Sequence, residues 1–168
     1  MKSRKVIIFI LSTILILDLG TKYLAYTFLR HIHTITIIPD FLHLTYVENR
    51  GAAFGFLAHV NSRFRTPFFI LVSLTAIIFI ISLYKKIEGS SLFHTGLLFI
   101  LGGAVGNLID RLRSGFVIDF LDFHWYQYHW PAFNIADTVI CIGVGMLIFD
   151  MFFYSRENKV HCTPYSLK

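Results

Sequence analysis

Four stretches of this chain stay apolar for about the thickness of a bilayer, and they fix most of what it can fold into. They cover residues 6–29, 67–84, 90–111 and 132–154, each close to the roughly 20 residues a helix needs to cross the hydrocarbon layer. With 55% hydrophobic residues in 168, the composition lies outside the usual soluble range. The expected fold is an all-α membrane protein, one integral domain over 1–168 with four transmembrane helices. The first run follows Lys2, Arg4 and Lys5 as a secretory signal would. It continues to Leu29 without a small-residue cleavage pattern, and so reads as a retained helix.

The connection over 30–66 is polar enough to leave the membrane. In it Thr34-Ile35-Thr36-Ile37 and Leu42-His43-Leu44-Thr45-Tyr46 alternate with the period of strands. A small β-rich segment between helices 1 and 2 is therefore expected, leading to a turn at Asn49-Arg50-Gly51-Ala52-Ala53-Phe54-Gly55. The connection over 114–131 is too short to cross again, and its Trp125, Tyr126, Tyr128 and Trp130 suit an interfacial aromatic belt. Four spans put both termini on one side, where Lys2, Arg4, Lys5, Lys85, Lys86, Arg156, Lys159 and Lys168 also fall. That side is expected to be cytoplasmic, although Arg30, Arg50, Arg63, Arg65, Arg111 and Arg113 weaken the bias. The net charge of +5 is then explained by helix ends and anionic lipid headgroups, and no nucleic-acid partner is expected.

Carboxylates in such a setting are costly to dehydrate and point to function. Asp110, Asp119 and Asp137 gather with Asn107 and Asn134 around the last two apolar runs, toward the extracytoplasmic end. Two carboxylates in a partly dehydrated site do not both ionise easily, so a pair can act as acid and base together. One activates water while the other protonates the amide being cleaved. Asp137, in the first turns of its helix, would feel the positive end of the helix dipole. Asp18 and Lys22 lie four apart on one face of the first helix, acid first, which suits a structural ion pair. Gly102 and Gly106 permit close helix contact, while Asp137, Cys141 and Gly145 form a stripe expected to wall a polar pocket. Cys141 and Cys162 have no metal-ligand spacing, and the eight histidines are scattered without an HExxH pattern. No metal and no cofactor are expected.

Five short boxes occur in one order: Asp18-Leu19-Gly20-Thr21-Lys22, Asn49-Arg50-Gly51-Ala52-Ala53-Phe54, Gly106-Asn107 with Asp110-Arg111, Val117-Ile118-Asp119-Phe120, and Phe133-Asn134-Ile135-Ala136-Asp137. Together they resemble the lipoprotein signal peptidases, or type II signal peptidases. The resemblance implies an aspartyl endopeptidase of the bacterial inner membrane. Such an enzyme removes the signal peptide of prolipoproteins, cutting before a cysteine that already carries diacylglycerol. It implies Asp119 and Asp137 as the catalytic pair and Asn107, Arg111 and Asn134 as the pocket that holds substrate. Asn49 would lie in strands closing over the site, and Asp18, Lys22 and Asp110 would be mainly structural. The partners expected are lipid-modified precursors and membrane lipid, met by a monomer. Two other classes fit part of the pattern. A small proton-linked carrier also buries acids in a helical bundle, but usually has two similar halves and a midplane site. A structural subunit would use the glycines and leave the three aspartates without a reason.

Overall fold

The computed structural model describes residues 3–51 and 61–160, with the side chains of 154–160 excepted. Four helices among them are long and apolar enough to span a membrane. Helix α1 (Arg4–Leu24) continues through a π-helical turn (Ala25–Leu29), and α2 runs Ser62–Lys86, α3 Ser91–Ser114 and α4 Ile135–Val160. Strands β1 (Thr34–Ile38) and β2 (Leu42–Asn49) lie between α1 and α2, and β3 (Val117–Trp125) and β4 (Tyr128–His129) between α3 and α4. The strands at 34–38 and 42–49 agree with the alternation read from the sequence. Residues 52–60, the greater part of the expected turn, lie outside the described residues, as does the tail over 161–168.

Two helices start later or earlier than expected. Helix α2 starts at Ser62 rather than at Pro67. Asn61 caps it by accepting the Arg63 N–H at 3.0 Å, a cap that offsets the ladder bond lost at Pro67. Helix α4 starts at Ile135 rather than 132, because Asn134 rather than Pro131 begins it. Helix α3 runs past the expected 111 to Ser114 and stops at Gly115, which takes the left-handed conformation, φ 78°, and donates to the Arg111 carbonyl at 3.0 Å.

Lipid offers little hydrophobic drive for helices to associate, so close backbone approach and buried polar contacts must hold the bundle. Helix α3 packs against the other three, and its glycines face two of them. A Cβ on Gly102 would meet Ile14 of α1 at 3.0 Å, and one on Gly106 would meet Asp18 Oδ2 at 2.5 Å. Toward α4, a Cβ on Gly103 would strike the Ala136 carbonyl, and Gly143 of α4 lies against the Gly96 carbonyl, 2.6 Å from where its Cβ would be. The stripe expected along Asp137, Cys141 and Gly145 is not a pocket wall. Cys141 and Gly145 are exposed and nothing lies within 4 Å of a Cβ on Gly145. Gly143, two residues away and so on another side of the helix, makes the contact instead.

The sheet is antiparallel in the order β1-β2-β3-β4. It is not confined to the connection between the first two helices: the second connection, read as an interfacial loop, supplies β3 and β4. Trp125, Tyr126, Tyr128 and Trp130 are exposed there, at the β3–β4 hairpin. Ala25 and Leu29 at the end of α1 form a buried cluster with Phe120 of β3, flanked by Leu44, Tyr46, Ile118, Leu121 and Ile135. The sheet is thus seated on the end of the bundle that carries α4's first turn. Pairing shifts between Leu44 and Val47, where β2 advances three residues while β3 advances from Leu121 to Asp119. One extra residue in β2 is a β-bulge, and it reverses which face later side chains take. His43 and Asn49, six apart, therefore lie on opposite faces of the sheet.

Candidate active site

The bulge sets Asn49 on the face of Asp119. Asn49 stands opposite Val117, two residues along β3 from Asp119, the diagonal position from which a long side chain reaches across. Its Nδ2 donates to Asp119 Oδ2 at 2.9 Å. The other oxygen, Oδ1, accepts from Asn134 Nδ2 at 2.6 Å. Asp119 is 1% exposed, and burial, then the charge of Asp137, pushes its carboxyl up to about 7. The two amide donors and the Lys22 charge oppose that rise without reversing it.

Asp137 is placed by a helix cap. Asn134, fully buried, precedes α4, and its Oδ1 accepts the Asp137 N–H at 3.0 Å, while Asp137 Oδ2 accepts the Asn134 N–H at 3.3 Å. This is a capping box with Asp in the place of the usual Glu or Gln. Asp137 Oδ1 also accepts from Asn107 Nδ2 at 2.8 Å, and Asn107 Oδ1 receives Asn134 Nδ2 at 3.4 Å. Two amides thus join the carboxyls, with Asn134 bonded to Asp119, to Asp137 through its backbone cap, and to Asn107. Asp137 itself is half-buried, and so the more accessible of the two.

Beneath these residues Lys22 is the hub. Its Nζ lies 2.8 Å from Asp18 Oδ2, 2.9 Å from Asp110 Oδ2 and 2.9 Å from Asn107 Oδ1. The expected pair on α1 is present, and Lys22 binds Asp110 of another helix as well. Asp110 also accepts the Ile118 N–H at 3.4 Å, holding the start of β3. Asp18 Oδ1 accepts the Ala136 N–H at 2.8 Å, tying α1 to the first turn of α4. Arg111 lies with its guanidinium 5.4 Å from the centre of the Phe69 ring, and its charge acts on Asp137, Asp119 and Asp110. All nine residues singled out in the sequence therefore gather at one end of the bundle. Sequence reasoning missed the backbone donors of Ala136 and Ile118, which no side-chain motif reports.

Residues 10–153 match the family model described as signal peptidase (SPase) II. The lipoprotein signal peptidase of Syntrophotalea carbinolica is 45% identical over 86% of this chain and 89% of its own length. That of Syntrophus aciditrophicus is 44% identical over 93% and 99%. A bacterial membrane enzyme solved by the in meso method at 2.3 Å resolution superposes with a TM-score of 0.79 at 28% identity, covering 98% of this chain and 96% of that one. A second, solved at 1.9 Å, gives 0.78 at 30% identity over 89% and 94%.

Proposed function

This chain belongs to the signal peptidase II family, proteases that remove signal peptides from prolipoproteins, and we propose that it works as an aspartyl endopeptidase with Asp119 and Asp137 as its dyad. The observation that carries this reading is the shared amide bridge: Asn134 bonds Asp119 at 2.6 Å while capping the turn that carries Asp137. Two carboxyls held in one buried hydrogen-bonded frame can divide one proton between them. A proton-linked carrier finds no support in relatives that are proteases.

Asp119, pushed up to about 7, keeps a proton in the pH range where most carboxyls have lost theirs. Asp137, half-buried and at a helix N-terminus, is the base. It takes a proton from water as the oxygen attacks the scissile carbonyl carbon, and Asp119 gives its proton to the substrate amide. When the C–N bond breaks, the new amine has gained a proton and the water oxygen has become part of a carboxyl group. The bound precursor is held beside the dyad by Asn49, Asn107, Arg111 and Asn134, and Asp18, Lys22 and Asp110 fix the three helices that meet there. The bond cut lies before the lipid-bearing cysteine. The enzyme sits in the bacterial inner membrane with both termini cytoplasmic, and the sheet and dyad lie on the extracytoplasmic side.

The test is cleavage of a diacylglyceryl-modified precursor, normalised to folded enzyme. Asp119→Asn and Asp137→Asn keep shape but cannot exchange the proton, so each should nearly abolish cleavage. The double variant should lose little more, because residues acting as a unit are not additive. Asp119→Asn with near-normal turnover, beside a folded but dead Asp110→Asn, would move the acid–base role to Asp110.

A further inference from the structure

A second group of titratable side chains occupies the sheet. His43 stands opposite Asp122 across β2 and β3, and His129 opposite His124 across β3 and β4. Asp122 and His124 are two apart on β3, so all four side chains share a face. Asp119, an odd number of residues from Asp122, takes the other face.

The geometry within this group is close. His129 Nδ1 lies 2.9 Å from Asp122 Oδ1 and 3.0 Å from Oδ2, and His43 Nδ1 lies 3.6 Å from Oδ2. One ligand atom from each of the three residues falls within 4.8 Å of the other two. The His124 ring sits against both histidines, 4.1 Å from His43 and 4.7 Å from His129 between centroids. It is 7% exposed. Its Nδ1 lies 2.8 Å from the Tyr126 carbonyl oxygen, while its buried Nε2 has no hydrogen-bond partner among the described residues. A buried ring nitrogen left in this state is unfavourable, and its ring packs directly against two of the three ligand residues.

We propose that His43, Asp122 and His129 form a binding site for a divalent transition-metal ion of the zinc type, on the face of the sheet turned away from the dyad. Around a tetrahedral ion with bonds near 2.0–2.1 Å, ligand atoms stand about 3.3 Å apart. Two of the three edges here, 3.0 and 3.6 Å, already bracket that value. Imidazole nitrogens with one carboxylate suit zinc and its neighbours, whereas magnesium and calcium take oxygen sets. His129 is exposed and His43 and Asp122 partly so, which leaves a way in. The spacing along the chain hides the site because its ligands come from three strands. Its effect is structural: β4 has two residues, too few to hold itself, and an ion would clamp it and β2 to the strand that carries Asp119.

The experiment uses full-length protein, prepared without a polyhistidine tag, stripped with EDTA and titrated with zinc chloride. Cobalt chloride serves as a visible reporter of coordination. About one zinc ion per chain should bind, with cobalt giving the absorption of a tetrahedral site, and excess magnesium should not compete. His43→Ala, His129→Ala and the near-isosteric Asp122→Asn should each weaken zinc binding by about tenfold or more, while His161→Ala leaves it unchanged. Cleavage of the lipid-modified precursor by each variant verifies folding, since none of these residues belongs to the dyad or its pocket. The absence of saturable zinc binding would overturn the proposal. So would unaltered affinity in the folded Asp122→Asn and His129→Ala proteins.

Discussion

Replacing Lys22 by Met should do more damage than any other single change outside the dyad. The side chain is 2% exposed, and its ammonium answers two buried carboxylates at 2.8 and 2.9 Å and the Asn107 carbonyl oxygen at 2.9 Å. Met fills a similar volume, so packing is kept and the loss is electrostatic. Removing one partner of a buried ion pair leaves the other uncompensated and costs about 3–5 kcal/mol. In a protein with total stability on the order of 5–15 kcal/mol, that is a large share. The unfolded fraction would rise at least about a hundredfold, and the melting temperature of the purified protein would fall by on the order of 10 °C. The assay is thermal unfolding in detergent beside a triple variant that adds Asp18→Asn and Asp110→Asn. Once no charge is stranded, much of the loss should return. A Lys22→Met protein melting within about 2 °C of the native one, or a triple variant less stable than the single, would refute the reasoning.

The pH dependence follows from Asp119, whose carboxyl moves from an ordinary 3.8 to about 7 in the fold. Between those values the native Asp119 binds more protons than the unfolded one, so its contribution to stability is full below pH ~4 and is lost as pH rises toward ~7. Asp119→Asn should flatten that slope in denaturation measured across the window, and native cleavage should decline above pH ~7 as the acid loses its proton. Gly143→Leu, forced against the Gly96 carbonyl, should sharply lower the yield of folded protein, whereas Gly145→Ala should be neutral or stabilising by up to ~1 kcal/mol, both read by thermal unfolding. Reporters fused after Lys86 and Lys168 should report cytoplasm and one inserted near His59 the outside; a cytoplasmic signal at His59 would reverse the placement of the dyad.

Much of this is legible in the sequence. The four spans show as apolar length broken by few charges, and β1 and β2 as alternation. Strand β3 does not show because its polar residues serve both faces: Asp119 turns one way, Asp122 and His124 the other, so no period of two survives. The bulge that sets Asn49 beside Asp119 is equally silent. Helix α4 offers glycines at 143 and 145, and nothing local decides which one meets α3. The contact of Asp110 with Lys22 depends on how two helices cross, which spacing along the chain does not report. The motifs point to the two aspartates of the proposed dyad; the amide bridge between them required the fold.

The division of the sheet between two connections also bears on how the enzyme comes into being. Asn49 waits for Asp119, 70 residues later, and Asp18 for the Ala136 N–H, 118 residues later. As the chain leaves the ribosome, β2 emerges beside β1, but its other edge has no strand to pair against until two further helices have been made and β3 follows, and Asp137 comes later still. A polypeptide halted at any earlier point holds scattered acids and an open strand edge, not a weak protease. With the proposed dyad divided in this way, proteolytic competence arrives in one step, when the last helix docks.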